Sequence, residues 1–149
     1  MSKVSTVCLP FGDYWAAFQD KVGNELNEIP IMFERKSMSD LYSTFSSEVN
    51  IERHKEKVAK AERMDAKLFM IVEGSLSDLE EGVEHSQMEP QRIVKTTFTF
   101  FVKYGFMPIF CNDRNEMVRF MLHTWEAFGR NFKHLPPNVG VNEVVDPNV

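Results

Sequence analysis

Two apolar runs of strand length, each ending on a glutamate, limit the folds open to this chain. Residues 29–33 read IPIMF and lead into Glu34; residues 68–72 read LFMIV and lead into Glu73. Neither run alternates polar with apolar residues. Nearly continuous apolar segments of this length are what strands covered on both faces look like. Strands of that kind need helices above and below them, so an α/β fold is predicted.

The segments around the two runs supply those helices. Ser37 or Ser39 can cap a helix over 39–47, with Asp40 in its first turn. Asn50 can cap a second helix over 51–65. Pro90 suits the first turn of a helix over 90–104, although its TTFTFFVKY stretch has high β propensity, and Gly105 ends it. A short strand is predicted at 107–111. Asn112 or Asp113 then caps a helix running to 132, with Met117, Phe120, Met121, Thr124, Trp125 and Phe128 at helical spacing.

Upstream, residues 4–11 form a candidate strand kept near an edge by Pro10, and Gly12-Asp13 breaks it. Gly23-Asn24 is a turn signal, so 13–36 reads as a hairpin whose second arm is the run at 29–33. Residues 75–87 are acidic and polar, with short helical character at most. The expected architecture is a mixed central sheet flanked by helices on both faces, one domain over 1–134 and an aperiodic tail over 135–149.

With 149 residues, 43% of them hydrophobic, the chain can bury a sizeable core. Its formal charge of −5 excludes a histone-like polycation, so any grip on nucleic acid must be local. Cys8 and Cys111 fit neither a disulfide framework nor a zinc site and are expected to be buried thiols. No secretory leader and no apolar run of membrane-spanning length appear, which predicts a cytoplasmic protein with no membrane partner.

The chemistry lies around Glu34-Arg35-Lys36. On a strand, alternate residues share a face, so Glu34 and Lys36 point one way and Arg35 the other. Asp13 and Glu34 together suit a hard divalent cation such as Mg²⁺, which prefers carboxylate and phosphate oxygens. Such a cation polarises a phosphodiester and lowers the pKa of a bound water. Lys36 could orient that water or stabilise charge developing on the phosphate. Arg35 could pair with Asp40 at the strand–helix corner or clamp a phosphate with its fork. Taken alone, Glu-Arg-Lys at a strand end is usually a solvated turn. The pattern as a whole is more specific.

Gly12-Asp13, Glu34-Arg35-Lys36, Asp40 and the acid-tipped strand IVEG at 71–74 resemble the nuclease domain of the XPF family of structure-selective endonucleases. Every fixed position of that family's G-D-x(n)-E-R-K-x-x-x-D signature is filled, and the similarity covers about 10–132. The resemblance implies a restriction-endonuclease-like fold and a Mg²⁺- or Mn²⁺-dependent endonuclease acting on DNA, with branched or flapped DNA as a candidate substrate. It implies Asp13, Glu34 and Lys36 as the catalytic core and Arg35 and Asp40 as further site residues. Arg53 and Glu73 are carried over beside them. Relatives pair through this domain, so a homodimer or a partner nuclease subunit is expected, with part of the run 98–106 or the Met117–Phe128 face as its surface.

Only eleven residues precede Gly12. Relatives ordinarily carry a longer acidic strand there, so a trimmed first strand is expected. No tandem helix-hairpin-helix module is present, as in small phage and archaeal relatives, which suits a viral or prokaryotic source.

From Arg53 to Lys67 six basic residues face three acids, a local excess of positive charge within an acidic chain. Arg53, Lys57 and Lys60 are the candidate phosphate contacts, although a solvated helix face accounts for the same pattern. His54, His85, His123 and His134 show no ligand spacing and are not expected to hold metal. Phe98, Phe100, Phe101, Tyr104 and Phe106 are expected in the core rather than in a base-stacking platform. Two alternatives stand beside the enzyme: a catalytically silent relative that recruits a partner or binds DNA, and a structural protein using the fold for assembly.

Overall fold

Three parallel strands, β3 (Ile31–Ser37), β4 (Lys67–Glu73) and β5 (Pro108–Cys111), lie in the order β3-β4-β5 at the centre of the computed structural model, which describes residues 13–19, 26–131 and 141–145. Parallel neighbours need long crossovers. α1 (Met38–Phe45) and α2 (Glu48–Arg63) carry the chain from β3 to β4; α3 (Leu76–Glu81) and α4 (Pro90–Tyr104) carry it from β4 to β5. The longest helix, α5 (Arg114–Asn131), follows β5. A second, antiparallel sheet has the order β2-β1-β6, from β1 (Trp15–Gln19), β2 (Leu26–Glu28) and β6 (Val141–Val145). It meets the parallel sheet at one bridge, where Tyr14 and Phe33 exchange N–H···O bonds of 3.0 Å each way.

Side-chain alternation along the strands divides the core in two. Met32 of β3 and Leu68, Met70 and Val72 of β4 face one way, against Leu41, Phe45, Val58, Leu79, Ile93 and Phe100 of α1 to α4. Phe33 and Ile71 face the other way, with Ala16, Ile29 and Cys111, against Met117, Met121 and Trp125 of α5. Helices therefore cover both faces, as the two-sided apolar strands require. Trp125 seals the second layer: its indole N–H donates to the Ile31 carbonyl at 3.0 Å and its ring lies edge-on to Phe33, centroids 5.6 Å apart.

Local chemistry sets the helix ends. Ser37 Oγ accepts the Asp40 N–H at 3.1 Å, which starts α1 immediately after β3. Ser75 and Asp78 form a reciprocal capping box on α3. Asp113 Oδ1 accepts the Glu116 N–H at 2.8 Å at the start of α5. Gly105 closes α4 in the left-handed conformation, φ 72°, where a side chain would be strained.

Several expectations are revised. The second arm of the hairpin is not continuous: β2 pairs with β1, the chain bends at Pro30, and β3 joins the parallel sheet instead. Proline has no N–H to give a ladder, so the break falls there. α2 begins at Glu48, capped by Ser47 rather than Asn50, whose own N–H is the one Ser47 Oγ accepts. The short helical character expected in 75–87 is present as the six-residue helix α3. Val141–Val145, within the segment predicted as an aperiodic tail, is a strand paired with β1. The helix over 90–104 forms despite TTFTFFVKY, because Ile93, Thr97 and Phe100 fall on one buried stripe.

The aromatic run divides: Phe100 and Phe106 are core, whereas Phe101 and Tyr104 are 40% and 39% exposed. The strand expected over 4–11, Cys8, Gly12, the turn at Gly23-Asn24 and His134 lie outside the described residues.

Candidate active site

β3 does not stop at Glu34. It continues to Ser37, paired with β4 up to Glu73, so Glu34 sits within a central ladder and is only 4% exposed. With Met32 it faces the α1–α4 layer, and α2 crosses at that point. Lys57 of α2 donates to Glu34 Oε1 at 2.7 Å, while Lys36 Nζ and His54 Nε2 each stand 3.8 Å from the same oxygen. Glu34 Oε2 is buried and has no hydrogen-bond partner.

Asp13 arrives from the other sheet. Its Oδ2 accepts the Arg35 backbone N–H at 2.8 Å, and its own N–H donates to the Phe33 carbonyl at 2.9 Å, so the start of the antiparallel layer is pinned across β3 beside Glu34. The Arg35 side chain projects to the opposite face, where Nη2 donates to Glu73 Oε2 at 2.9 Å and ties the tips of β3 and β4. No ion pair joins Arg35 to Asp40; among the described residues Arg35 pairs with Glu73. Asp40 is exposed in the first turn of α1. Gly74 follows Glu73 with φ 143°, and a Cβ there would come within 2.9 Å of Met38 Cε, so the chain leaves β4 through a glycine.

Burial and crowding of charge shift the site's ionisations. The Asp13 carboxyl is pushed above the ordinary value, first by burial and then by the charge of Glu34, against the opposing pull of the Arg35 N–H, Lys57 and Lys36. Lys36 is pushed below the ordinary amine value by burial; the neighbouring Lys57 ammonium adds to this, while Glu34, Asp13 and Asp40 oppose it. His54 is likewise lowered by burial and then by Lys36. Its Nδ1 lies 2.8 Å from the Asn50 carbonyl, which can only accept, so the proton belongs on Nδ1 and Nε2 carries the lone pair.

Asp13 and Glu34 are the two carboxylates from which a hard cation would draw its oxygens. Asp13 and Glu34 are close enough to raise the Asp13 pKa, and Glu34 Oε2 is a buried acceptor with nothing to accept from. A cation would relieve both the mutual repulsion and the unmet acceptor. As the side chains stand, no three of His, Cys, Asp and Glu converge on one point among the described residues, and the ammonium of Lys57 holds Glu34 Oε1.

The residues singled out in the sequence thus separate into groups. Asp13, Glu34 and Lys36 come together; Arg35 flanks them through its backbone and pairs with Glu73; Asp40 lies at the rim. Arg53 and Lys60 are exposed on α2 and, with Glu56 and Arg63, line a shallow groove. Lys57 borders that groove but turns its ammonium inward to Glu34. His54, which shows no ligand spacing in the sequence, lies with its Nε2 3.8 Å from Glu34 Oε1. Its signal was its position: His54, Val58 and Ala61, at i, i+4 and i+7, are the buried stripe of an otherwise charged helix.

A family model described as the ERCC4 domain matches residues 2–124. No curated protein matches the chain. The matched span holds Asp13, Glu34, Lys36, Asp40, His54, Lys57 and Glu73, the whole of the parallel sheet and its helices α1 to α4. The domain is that of nucleases acting on DNA. No helix among the described residues is long and apolar enough to cross a membrane. The chain belongs to the ERCC4 domain family, the XPF-type nuclease domain of the restriction-endonuclease-like superfamily.

Proposed function

We propose that the protein is a divalent-cation-dependent endonuclease that hydrolyses DNA phosphodiesters, with Asp13, Glu34 and Lys36 as its reacting centre. The observation that supports this reading is the hold of the Arg35 backbone N–H on Asp13, next along β3 to Glu34, whose Oε2 is buried and unpartnered. Those two carboxylates would hold Mg²⁺ or Mn²⁺, and the chemistry such an ion would supply is polarisation of the phosphate and activation of a water.

The chain's own groups do the rest. Lys36, on the same face of β3 as Glu34 and 12% exposed, offers a desolvated ammonium to a phosphate oxygen, where a charge–charge hydrogen bond is strong. The Arg35–Glu73 pair fixes the two strand tips that frame the site, and the Arg35 N–H orients the Asp13 carboxylate. Arg53, Lys60 and Arg63 lie on the exposed side of α2 next to Lys57, a placement suited to neighbouring phosphates of a bound strand. Asp40, at the rim, adds negative charge near Lys36. Branched or flapped DNA is the substrate class we favour within this reading, on the family resemblance alone.

One observation favours a second reading, a catalytically silent relative that binds DNA or recruits a partner. Lys57 already neutralises Glu34 at 2.7 Å, as it would in a site that never takes a cation.

A single experiment separates the two. Labelled single-stranded, duplex, flap and fork DNA are incubated with wild type, Lys36→Ala and Asp13→Asn, with and without Mg²⁺ or Mn²⁺. Metal-dependent cutting that both substitutions abolish is expected. Cutting that persists unchanged in both variants, or is absent on every substrate, overturns the catalytic reading.

A further inference from the structure

We propose that the groove between α2 and α4 binds a single strand of nucleic acid, with lysines on its phosphates and the Tyr104 ring stacked on a base. The inference goes beyond the hydrolytic reading above and holds whether or not the protein cuts.

Lys55 of α2 and Lys95, Thr99, Lys103 and Tyr104 of α4 line a groove of about 250 Å³, floored by the buried Phe100. Past Lys55, Lys103 and Tyr104 it continues into a second stretch of about 340 Å³, bordered by Val58 and Glu62. No acid lines the first stretch among the described residues, although acids outnumber basic residues 22 to 17 in the whole chain. Lys55 pairs with Glu52 at 2.9 Å, but the two side chains are 37% and 70% exposed. A pair so exposed is weak enough for a phosphate to displace.

This groove is not the one beside Glu34. Lys55 and Lys57 stand roughly 200° apart around α2. They fall on opposite sides of its buried stripe, and Lys57 borders the groove of Arg53, Lys60 and Arg63.

Tyr104 decides the occupant. Lysines and a hydroxyl would serve any polyanion, but Tyr104 lines both stretches and is 39% exposed. Phe100 braces its ring at a centroid distance of 5.2 Å and 64°. A fixed, exposed ring among ammonium groups is the arrangement that holds a single strand: the charges take phosphates and the ring takes a base face. In a duplex the bases stack on one another and offer such a ring no free face. Lys95, Lys103 and Tyr104 are all exposed, so the groove is an open trough along which a chain can lie, not an enclosed pocket for a small ligand.

The test is fluorescence anisotropy on the full chain in EDTA. Its probe is a labelled oligothymidylate of about a dozen nucleotides, a length typical of single-strand sites. Duplex DNA of the same length and a polyglutamate peptide are the competitors. The variants are Tyr104→Ala, Tyr104→Phe and the double substitution Lys95→Gln with Lys103→Gln, all at exposed positions. Tyr104→Ala is expected to weaken binding by about 5- to 150-fold, the loss of one stacked base. Tyr104→Phe is expected to stay near wild type. In the double variant the slope of log K against log salt is expected to become shallower by about 1.4, for two lost phosphate contacts. A bromouracil-bearing oligothymidylate is expected to crosslink to Tyr104 on irradiation.

No binding of oligothymidylate by wild type overturns the proposal, as does binding that Tyr104→Ala and the double variant leave unchanged. Equal losses in Tyr104→Ala and Tyr104→Phe would assign the effect to the hydroxyl and overturn the stacking. Competition by duplex or polyglutamate as strong as by the single strand gives the groove to another polyanion and overturns it too. Should Tyr104→Ala not fold, the double variant and the crosslink still decide. Neither a cation nor cleavage enters the measurement, so failure here is distinct from failure of the hydrolytic reading.

Discussion

The Lys57 ammonium of α2 lies 2.7 Å from Oε1 of Glu34, a carboxylate that is only 4% exposed. Lys57 is thus the counter-ion of Glu34. Lys57→Met leaves that carboxylate buried without its closest partner. We expect a loss of about 1–3 kcal/mol in urea unfolding with EDTA present, the cost of stranding a buried charged group. Added Mn²⁺ restores part of it. A double-mutant cycle with Glu34→Gln measures the coupling; independent, additive effects would contradict the pairing.

Asp13 carries the opposite kind of cost. Its folded pKa is raised, so the fold favours the protonated acid; that preference stabilises fully below the unfolded value of 3.8 and is lost as pH rises through the folded pKa. At neutral pH the ionised, crowded carboxylate is therefore a burden. Asp13→Asn, whose amide oxygen can still accept the Arg35 N–H, is expected to raise the Tm of the cation-free protein at pH 7. The advantage over wild type shrinks on acidification through the region just above 3.8. Saturating Mg²⁺ or Mn²⁺ reverses the ranking, because only wild type binds it; a cation at 100 times its Kd adds about 2.7 kcal/mol.

Arg35 and Glu73 are 28% and 34% exposed, so their pair contributes little to stability, about 1 kcal/mol or less. Its value is positional. Arg35→Lys keeps the charge but cannot reproduce the guanidinium geometry across the strand tips. We expect a Tm close to wild type together with a fall in cleavage rate of roughly 10- to 100-fold, the scale of a small misplacement of reacting groups. Equal damage to both would make the pair a structural one.

On the far side of the sheet, Trp125 is fully buried and donates to the Ile31 carbonyl at the start of β3. Trp125→Ala is expected to cost about 3–5 kcal/mol, as for large core truncations. Trp125→Phe keeps much of the volume and strands one carbonyl, for about 1–3 kcal/mol. Chemical denaturation of both variants checks the ranking.

What could be read from the sequence was what is local. Strand alternation, a property of consecutive residues, puts Glu34 and Lys36 on one face, whereas Asp13 joins them as a candidate only through the family signature that all three fill. α1, α4 and α5 were legible from caps and stripes. The Arg35–Glu73 pair was not, since it needs the register that sets Ser37 opposite Glu73. Nor were His54 and the inward turn of Lys57. α2 is charged on most of its surface, and its inner stripe is only His54, Val58 and Ala61, too short for periodicity to reveal which face meets the sheet. β6 escaped because its partner, β1, lies at the other end of the sequence.

That last pairing bears on when a working centre can exist. Glu34, Lys36, His54, Lys57 and Glu73 all lie within elements the ribosome delivers early, and their strand neighbours follow by Cys111. Asp13 leads into β1, which has β2 along one side but gains its second neighbour only when Val141–Val145 emerges, with Trp15 opposite Val145. Until then β1 keeps an open edge, the kind of edge to which foreign strands add. A chain without Val141–Val145 therefore holds Glu34 within the parallel sheet while Asp13 leads into a strand with one open edge.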